Sequence, residues 1–590
     1  MKEQEITLSE ILIAREERVA VQTALLGKYK APVISFTMNM AGPVKLTSLS
    51  HRAFLWGCEQ LRLGFVQNKF PVLAEQTRSL PTGDEAYYAV DAPAEKVKAL
   101  CVEIEESSPA GRFYDMDVIG LDGRKLERGT ERPCIVCGKP GRDCASRRLH
   151  TVKELQRATK TNLGLAFLLL DRRKLSGLAT HALLEEVAVT PKPGLVDRAN
   201  NGAHQDMDFS SFQASAAALT SYWEACFREG MRPAYPPVSA VGAAETSPAC
   251  RGGGPASRPV EGCRPPEAKG FQSCHSERVG DGSPVPEAVL SPCHSEQSEE
   301  SVPPAASLEA GTDPSTSLRS AQDDRQWRLS PAETFSYLRP LGKQAERDML
   351  AATGGVNTHK GAIFTLGVLC GAIGRRWTAE EGFPSVDVIL DEAAAMTRET
   401  LAAELPAANW HTAGEALYRQ YGTRGIRGEV SDGLPAVREI SLPVFKALLA
   451  QGLDRNHAAA VTLLHLIAKV EDTNLLHRGG PEGAAWAKQA AAALIVPACH
   501  SEQREESVPP AANPERGTEP STPLRSAQDD KQEPYMKNAD KRCLSLHKIP
   551  SLQEIAELDR QFMERNLSPG GCADLLAVTL FLERLENPGF

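Results

Sequence analysis

The rhythm of apolar positions changes once along this chain. Up to about residue 120 short β-rich runs flank an amphipathic segment, and beyond that helical spacing takes over. Pro32 to Met38 (PVISFTM) predicts a strand, Ser50 to Phe65 an amphipathic helix, and Tyr87 to Val90 and Tyr114 to Ile119 further strands. Val152 to Arg172 reads as continuous helix, which sets a domain boundary near residue 165. Phe212, Ala216, Leu219, Trp223 and Cys226 share one face of a helix predicted over Phe209 to Arg228, with Gly230 as its stop. Ser330, Pro331 and Glu333 form a capping box with proline in the first turn, and Ala458 to Val470 and Ala573 to Leu585 are further apolar helices. The predicted fold is multidomain: an α+β domain over 1–165, then an all-α domain over 166–590 whose helix-end loops carry ligands.

Two stretches fit neither pattern. The segment CHSEQSEESVPPAASLEAGTDPSTSLRSAQDD at 293–324 returns at 499–530 with 26 of 32 positions identical, and a third fragment, CHSER, starts at Cys274. Rich in Ser, Pro, Glu and Ala, the copies bury too little apolar surface to offset the entropy of ordering. They stand too far apart to stack as a solenoid. Residues 232–328 and 497–535 are therefore read as two disordered, repeat-like insertions that activity does not need.

Composition narrows the function. A length of 590 residues supports two or three domains, and a net charge of -10 argues against nucleic-acid binding by overall attraction. Phosphate chemistry must then be local. No apolar run reaches membrane-spanning length and no signal-peptide core opens the chain, so no membrane partner is expected. Fourteen cysteines without a compact disulfide framework suit a reducing cytoplasm.

Local chemistry is densest in EEVAVTPKPGLVDRANNGAHQDMD, from Glu185 to Asp208, where Pro191, Pro193 and Gly194 end any helix and expose backbone N–H groups beside Lys192 and Arg198. Glu346 to Gly361 (ERDMLAATGGVNTHKG) and Glu471 to Gly480 (EDTNLLHRGG) repeat the combination of acid, amide, histidine and base beside glycine. Leu567 to Leu576 (LSPGGCADLL) adds a glycine-rich helix start. Together they predict one composite site.

In that order, from about Thr180 onward, PKPGLVDR, GAHQDMD, ATGGVNTHKG, DTNLLHRGG and SPGGCADLLA resemble the triphosphoribosyl-dephospho-CoA synthase family. The resemblance implies that ATP and 3'-dephospho-CoA react to give the triphosphoribosyl derivative and adenine. Such a site needs a triphosphate clamp, an activated hydroxyl and an acid for the departing base. Asp206 and Asp208 are expected Mg²⁺-triphosphate ligands, with Asp472 and Glu346 beside them, and one carboxylate can serve as general base. Lys192, Arg198, Lys360 and Arg478 are expected phosphate contacts. Gly354, Gly355, Gly479, Gly480, Gly570 and Gly571 admit backbone close to a ligand, and Asn357 and Asn474 orient loops or phosphate oxygens. His204, His359 and His477 are candidate acids for adenine, each weighed against a purely structural hydrogen-bonding role.

The first domain carries its own signal. Asp115 and Asp117 alternate in FYDMDVIG, so both side chains leave one sheet face and can share Mg²⁺ for phosphoryl or nucleotidyl transfer. AREER at Ala14 to Arg18, AGPVK at Ala41 to Lys45, GRFYDMDV at Gly111 to Val118 and RPCIVCGKPGRDCASRRLH at Arg132 to His150 resemble apo-citrate lyase phosphoribosyl-dephospho-CoA transferase. That resemblance implies attachment of the prosthetic-group precursor to a serine of the citrate lyase acyl-carrier subunit, with release of pyrophosphate. Arg15, Arg18, Lys45 and Arg112 are the expected phosphate clamp, against the alternative of surface ion pairs. Cys134, Cys137, Cys144 and His150 have ligand types for Zn²⁺, against a reading as reduced thiols with His150 capping a helix. A nucleic-acid knuckle lacks the aromatics it would need. The reading is thus a bifunctional transferase, with malonate decarboxylase as the alternative beneficiary and a noncatalytic zinc-binding or scaffold module as the alternative class.

Overall fold

Four antiparallel strands, β1 (Val33–Met38), β2 (Val72–Leu80), β3 (Gly83–Val90) and β4 (Tyr114–Ile119), form one sheet in the order β2-β3-β1-β4. This computed structural model describes residues 3–233, 328–407, 413–495 and 549–587. β4 spans the predicted residues. β2 escaped prediction because it is an edge strand with almost no buried face, held by its pairing to β3. The alternation of side chains divides the sheet cleanly. Ile34, Phe36, Tyr88, Met116 and Val118 pack into the main core with Phe54 and Leu61 of α2 (Ser48–Asn68) and Val97 of α3 (Ala94–Glu106). On the opposite face, Val33, Tyr87 and Ala89 meet Leu25 of α1 (Leu8–Tyr29).

After the short helix α4 (Gly141–Ser146), α5 (Val152–Ala188) runs 37 residues and passes straight through the predicted boundary at residue 165. A reciprocal cap between Thr151 and Glu154 starts it, and buried positions from Leu163 to Val187 recur every three or four residues. The two domains are thus joined without a linker. Arg52 of α2 donates to both oxygens of buried Asp171 on α5, at 2.8 and 2.6 Å, and to Ala379 O at 2.7 Å. Trp377 Nε1 adds a 2.6 Å bond to Asp171.

The rest is helical. The predicted helix over Phe209 to Arg228 is two, α6 (Phe209–Ala218) and α7 (Thr220–Gly230), where Thr220 Oγ1 bonds back to Ala217 O at 3.0 Å and competes with the helical ladder. There follow α8 (Pro331–Ala352), α9 (Lys360–Arg376), α10 (Val386–Ala407), α11 (Ala413–Tyr421), α12 (Gly425–Ser431), α13 (Leu442–Ala450), α14 (Arg455–Lys469), α15 (Thr473–Ile495), α16 (Leu552–Glu564) and α17 (Gly570–Glu586). α9, α14 and α17 are buried on nearly every side and form the centre of this domain. Among the described residues no helix is long and apolar enough to cross a membrane. The expected insertions at 232–328 and 497–535 fall almost wholly outside the described residues. Pro233 and Arg328, at the two ends of the first, pair as an isolated antiparallel bridge.

Candidate active sites

A cavity of ≈ 670 Å³ opens in the helical domain where the loop after α5 meets the N-termini of α9, α15 and α17. Its walls include Lys192, His204, Glu346, Asn357, His359, Lys360, Asp472, Asn474, Arg478, Gly570 and Gly571, so the four sequence segments do converge on one place. The residue before each of α9 and α17 makes no side-chain cap; first-turn N–H groups of Ala362 and Cys572 are taken instead by Asp574 and Asp472, carboxylates of the same wall.

The loop is fixed from below. Asp197 accepts from Ala199 N at 2.6 Å and Asn200 N at 2.9 Å, while Asp559 of α16 accepts from Gly194 N at 2.8 Å. Gly194 has φ 69°, and a Cβ there would lie 2.1 Å from Leu567 O, so only glycine lets this turn pass under the α16–α17 connection.

Lys192 is buried, and its ammonium bonds Glu186 Oε1 at 2.7 Å and Glu186 O at 2.9 Å. It is an internal partner of an acid, not a free phosphate contact. Burial pushes Glu186 above the usual carboxylate range despite that partner. Asp574 on α17 is the second acid of this wall. Burial and the neighbouring carboxylates of Glu186 and Asp472 push it well above its ordinary value, while Ala362 N donates to it. At Gly361 a Cβ would come within 1.9 Å of Asp574 Oδ2, so the glycine makes room for this carboxylate. Asp472 is also raised by burial, but its oxygens are occupied by Asn474 N at 2.7 Å, Leu475 N at 3.1 Å and Cys572 N at 2.8 Å. It joins the starts of α15 and α17.

The histidines differ in kind. His204 receives Arg478 Nη2 on Nδ1 at 3.0 Å; a guanidinium only donates, so the proton belongs on Nε2, which donates to Ser568 Oγ at 2.8 Å. Burial and Arg478 lower its pKa to about 4, so the ring is neutral and both nitrogens are engaged. His359 bonds Ser215 Oγ through Nδ1 at 2.7 Å, and its buried Nε2 has no protein partner. Burial, then Lys192, lowers it to about 3. His477 is exposed and outside the cavity wall.

Several expected residues stand elsewhere. Asp206 and Arg198 are exposed and absent from the wall, and Asp208 caps α6 by accepting from Ser211 N at 2.8 Å. Gly354 and Gly355 end α8, where Gly355 N bonds Leu350 O at 2.7 Å. Lys360 and Glu346 pair at 3.3 Å at the mouth. Neither Glu186 nor Asp574 is among the site residues the sequence motifs single out. Both were signalled by an acid placed on the apolar stripe of a helix.

On the sheet, Asp115 and Asp117 face the α1 side, opposite Thr37 and Ser35 of β1. Burial and the adjacent Asp115 raise Asp117, and Lys125 offsets part of this through an ion pair. Across the same face, Arg18 bonds Glu85 at 3.0 Å, so it holds α1 to β3. Lys45 donates to Met40 O at 2.5 Å and is lowered by burial and by the nearby Arg15, two cations in need of an anion. Arg112 is committed to Pro133 O at 3.0 and 2.5 Å. Among the described residues one cluster has metal-binding geometry: ligand atoms of Cys134, Cys137, Cys144 and His150 lie within 4.8 Å of one another.

Comparison with known proteins assigns both halves. The apo-citrate lyase phosphoribosyl-dephospho-CoA transferase family matches residues 6–164, and the ATP:dephospho-CoA triphosphoribosyl transferase family matches 172–250, 306–509 and 529–589. The middle of each repeat-bearing segment lies outside the match. Protein CitXG of Haemophilus influenzae is 28% identical over 98% of this chain and 96% of its own length. A Citrobacter koseri protein named probable 2-(5''-triphosphoribosyl)-3'-dephosphocoenzyme-A synthase is 31% identical over 70% of this chain and 90% of its own length.

Proposed function

Because the chain belongs to the ATP:dephospho-CoA triphosphoribosyl transferase family, fused to an apo-citrate lyase phosphoribosyl-dephospho-CoA transferase domain, we propose that it builds a prosthetic group in one site and attaches it from another. It is a bifunctional transferase of citrate lyase prosthetic-group biosynthesis. In the helical domain, ATP and 3'-dephospho-CoA give 2'-(5''-triphosphoribosyl)-3'-dephospho-CoA and adenine. A C–O bond forms between the 2'-hydroxyl of dephospho-CoA and ribose C1 of ATP, and the bond from C1 to adenine breaks. The hydroxyl proton passes to a carboxylate, and adenine gains a proton as it leaves.

What supports this reading is the ≈ 670 Å³ cavity, which gathers raised carboxylates beside helix N-termini. Asp574 is our candidate base, since its high proton affinity suits it to take the hydroxyl proton. The dipole ends of α9 and α17 and the cations at the mouth bind triphosphate. His359, neutral and with Nε2 open, offers a hydrogen bond to a substrate, whereas His204 positions Ser568 and Arg478. Glu186, on the same wall, is a hard oxygen donor that would help hold a Mg²⁺ arriving with ATP, and the ion would neutralise triphosphate charge.

In the sheet domain a serine Oγ of the acyl-carrier subunit attacks the phosphorus next to the ribose, and the bond to pyrophosphate breaks. Lys45 and Arg15 bind the departing diphosphate. Asp115 and Asp117 repel one another enough to suit a Mg²⁺, which would supply charge neutralisation there. Incubation with ATP, dephospho-CoA and apo-carrier, followed by mass spectrometry of the carrier, tests both steps. Asp574→Asn should end adenine release yet still transfer preformed triphosphoribosyl-dephospho-CoA, and Asp117→Asn should do the reverse. Undiminished adenine release by Asp574→Asn would remove the base assignment.

A further inference from the structure

We propose that Cys134, Cys137, Cys144 and His150 hold one structural zinc ion, and that this ion fixes the arginines beside β4 and fastens the start of α5 to the sheet domain. The metal assignment stands apart from the proposed chemistry; only the activity arm of its test rests on that reading.

The ligand set is complete and closed. Four soft or borderline donors lie within 4.8 Å of one another, with Cys137 Sγ 3.4 Å from Cys144 Sγ and 3.3 Å from His150 Nε2. Tetrahedral zinc with bonds of about 2.3 Å to sulfur separates its sulfurs by about 3.8 Å, so small shifts admit the ion. The backbone is already shaped for it. Gly138, at φ 72°, turns the chain so that its N–H bonds Cys134 O at 2.9 Å, and the N–H groups of Val136 and Cys137 point at Cys134 Sγ. Amide donors aimed at a sulfur stabilise the thiolate form that binds metal. Three thiolates, one imidazole and Zn²⁺ leave one negative charge, and Arg112 lies close enough to Cys134 to feel it.

The consequences run outward through hydrogen bonds. Pro133, next to Cys134, takes both bonds of Arg112, and Arg132 O accepts from Gly141 N at 3.0 Å at the start of α4, which carries Cys144. Arg132 itself bonds Tyr114 O at 2.6 Å and Glu105, whose other oxygen receives Met116 N at 2.8 Å. Metal binding therefore sets the backbone on both sides of Asp115. On the other flank, His150 directly precedes Thr151, the cap of α5. Gln156 and Val152 in the first turns of α5 touch the AGPVK turn at Gly42, three residues from Lys45. One ion thus ties together the aspartate strand, the lysine turn and the helix that continues into the second domain.

Elemental analysis of the purified full-length chain should find about one zinc per molecule, and Co²⁺ exchanged for it should give thiolate charge-transfer and tetrahedral ligand-field bands. Cys137→Ser should lose the metal, while Cys58→Ala, at a buried thiol outside the cluster, should keep it. Should Cys137→Ser fail to fold, chelation of the wild-type protein decides the matter. Zinc release read by a metallochromic dye should accompany about a tenfold fall in transfer to the carrier with adenine release unchanged. Protein without zinc whose alkylation pattern reveals a Cys137–Cys144 disulfide, or zinc retained by folded Cys137→Ser, would overturn the proposal.

Discussion

Gly194 and Gly354 share almost the same φ, 69° and 68°, in opposite surroundings, so alanine at each separates strain from collision. At Gly354 a Cβ meets nothing within 4 Å, and Gly354→Ala should cost only the left-handed penalty of about 1 kcal/mol. At Gly194 the new Cβ lies 2.1 Å from Leu567 O and 3.1 Å from Phe562 Cβ. Backbone cannot swing aside as a side-chain tip can. Adding an overpacking cost of about 1–3 kcal/mol gives a total of about 2–4 kcal/mol for Gly194→Ala. At about 2–4 °C per kcal/mol, the helical-domain transition should drop by about 3 °C for Gly354→Ala and by about 5–15 °C for Gly194→Ala. Scanning calorimetry reads both. The collision also pushes the loop away from Ser568 and so parts it from His204; adenine release should therefore fall in Gly194→Ala, while transfer of preformed intermediate holds. Equal transition shifts in the two variants would refute the claim that the Leu567 carbonyl enforces glycine.

Two further outcomes follow from other parts of the molecule. His204 and His359 are held neutral, with folded pKa values near 4 and 3 against an ordinary 6.5, so below pH 6.5 the unfolded chain binds more protons and stability is lost as pH falls toward 4. Urea midpoints at pH 7 and pH 5 should show this loss, and His204→Gln should shrink it; an unchanged pH dependence would contradict the buried-neutral assignment. Excision of 234–327 with a short glycine joint between Pro233 and Arg328, already bridged to one another, should leave both activities intact, and loss of either in the mass-spectrometric assay would show that the segment is needed.

Much of the site could be read from the chain because its residues cluster by motif, yet the motifs could not say which way each side chain faces. Lys192 looked like a phosphate contact because it sits among glycine and prolines; Glu186, one helical turn and a loop away, claims it instead. Asp206 and Asp208 looked like a metal pair by spacing alone, but the second caps α6 and both face solvent. Glu186 and Asp574 also line the cavity, and each lies on the apolar stripe of a helix, where an acid is itself a signal that the motif reading passed over. In the first domain the alternation of Asp115 and Asp117 was legible because β4 buries Tyr114, Met116 and Val118 on its other face. The edge strand β2 was not, because its order comes from pairing and not from burial. The division near residue 165 falls inside α5, in keeping with the continuous helix read over Val152 to Arg172, because a change in composition does not require a break in backbone.

The unbroken course of α5 bears on any attempt to study the halves apart. The family matches end at residue 164 and resume at 172, both inside α5. A gene cut in this interval would sever a helix in mid-course and strand Arg52 and Asp171 on different polypeptides, each without its counter-ion. Fragments that precipitate would then report on a poorly chosen scissors point, not on dependence of one chemistry upon the other.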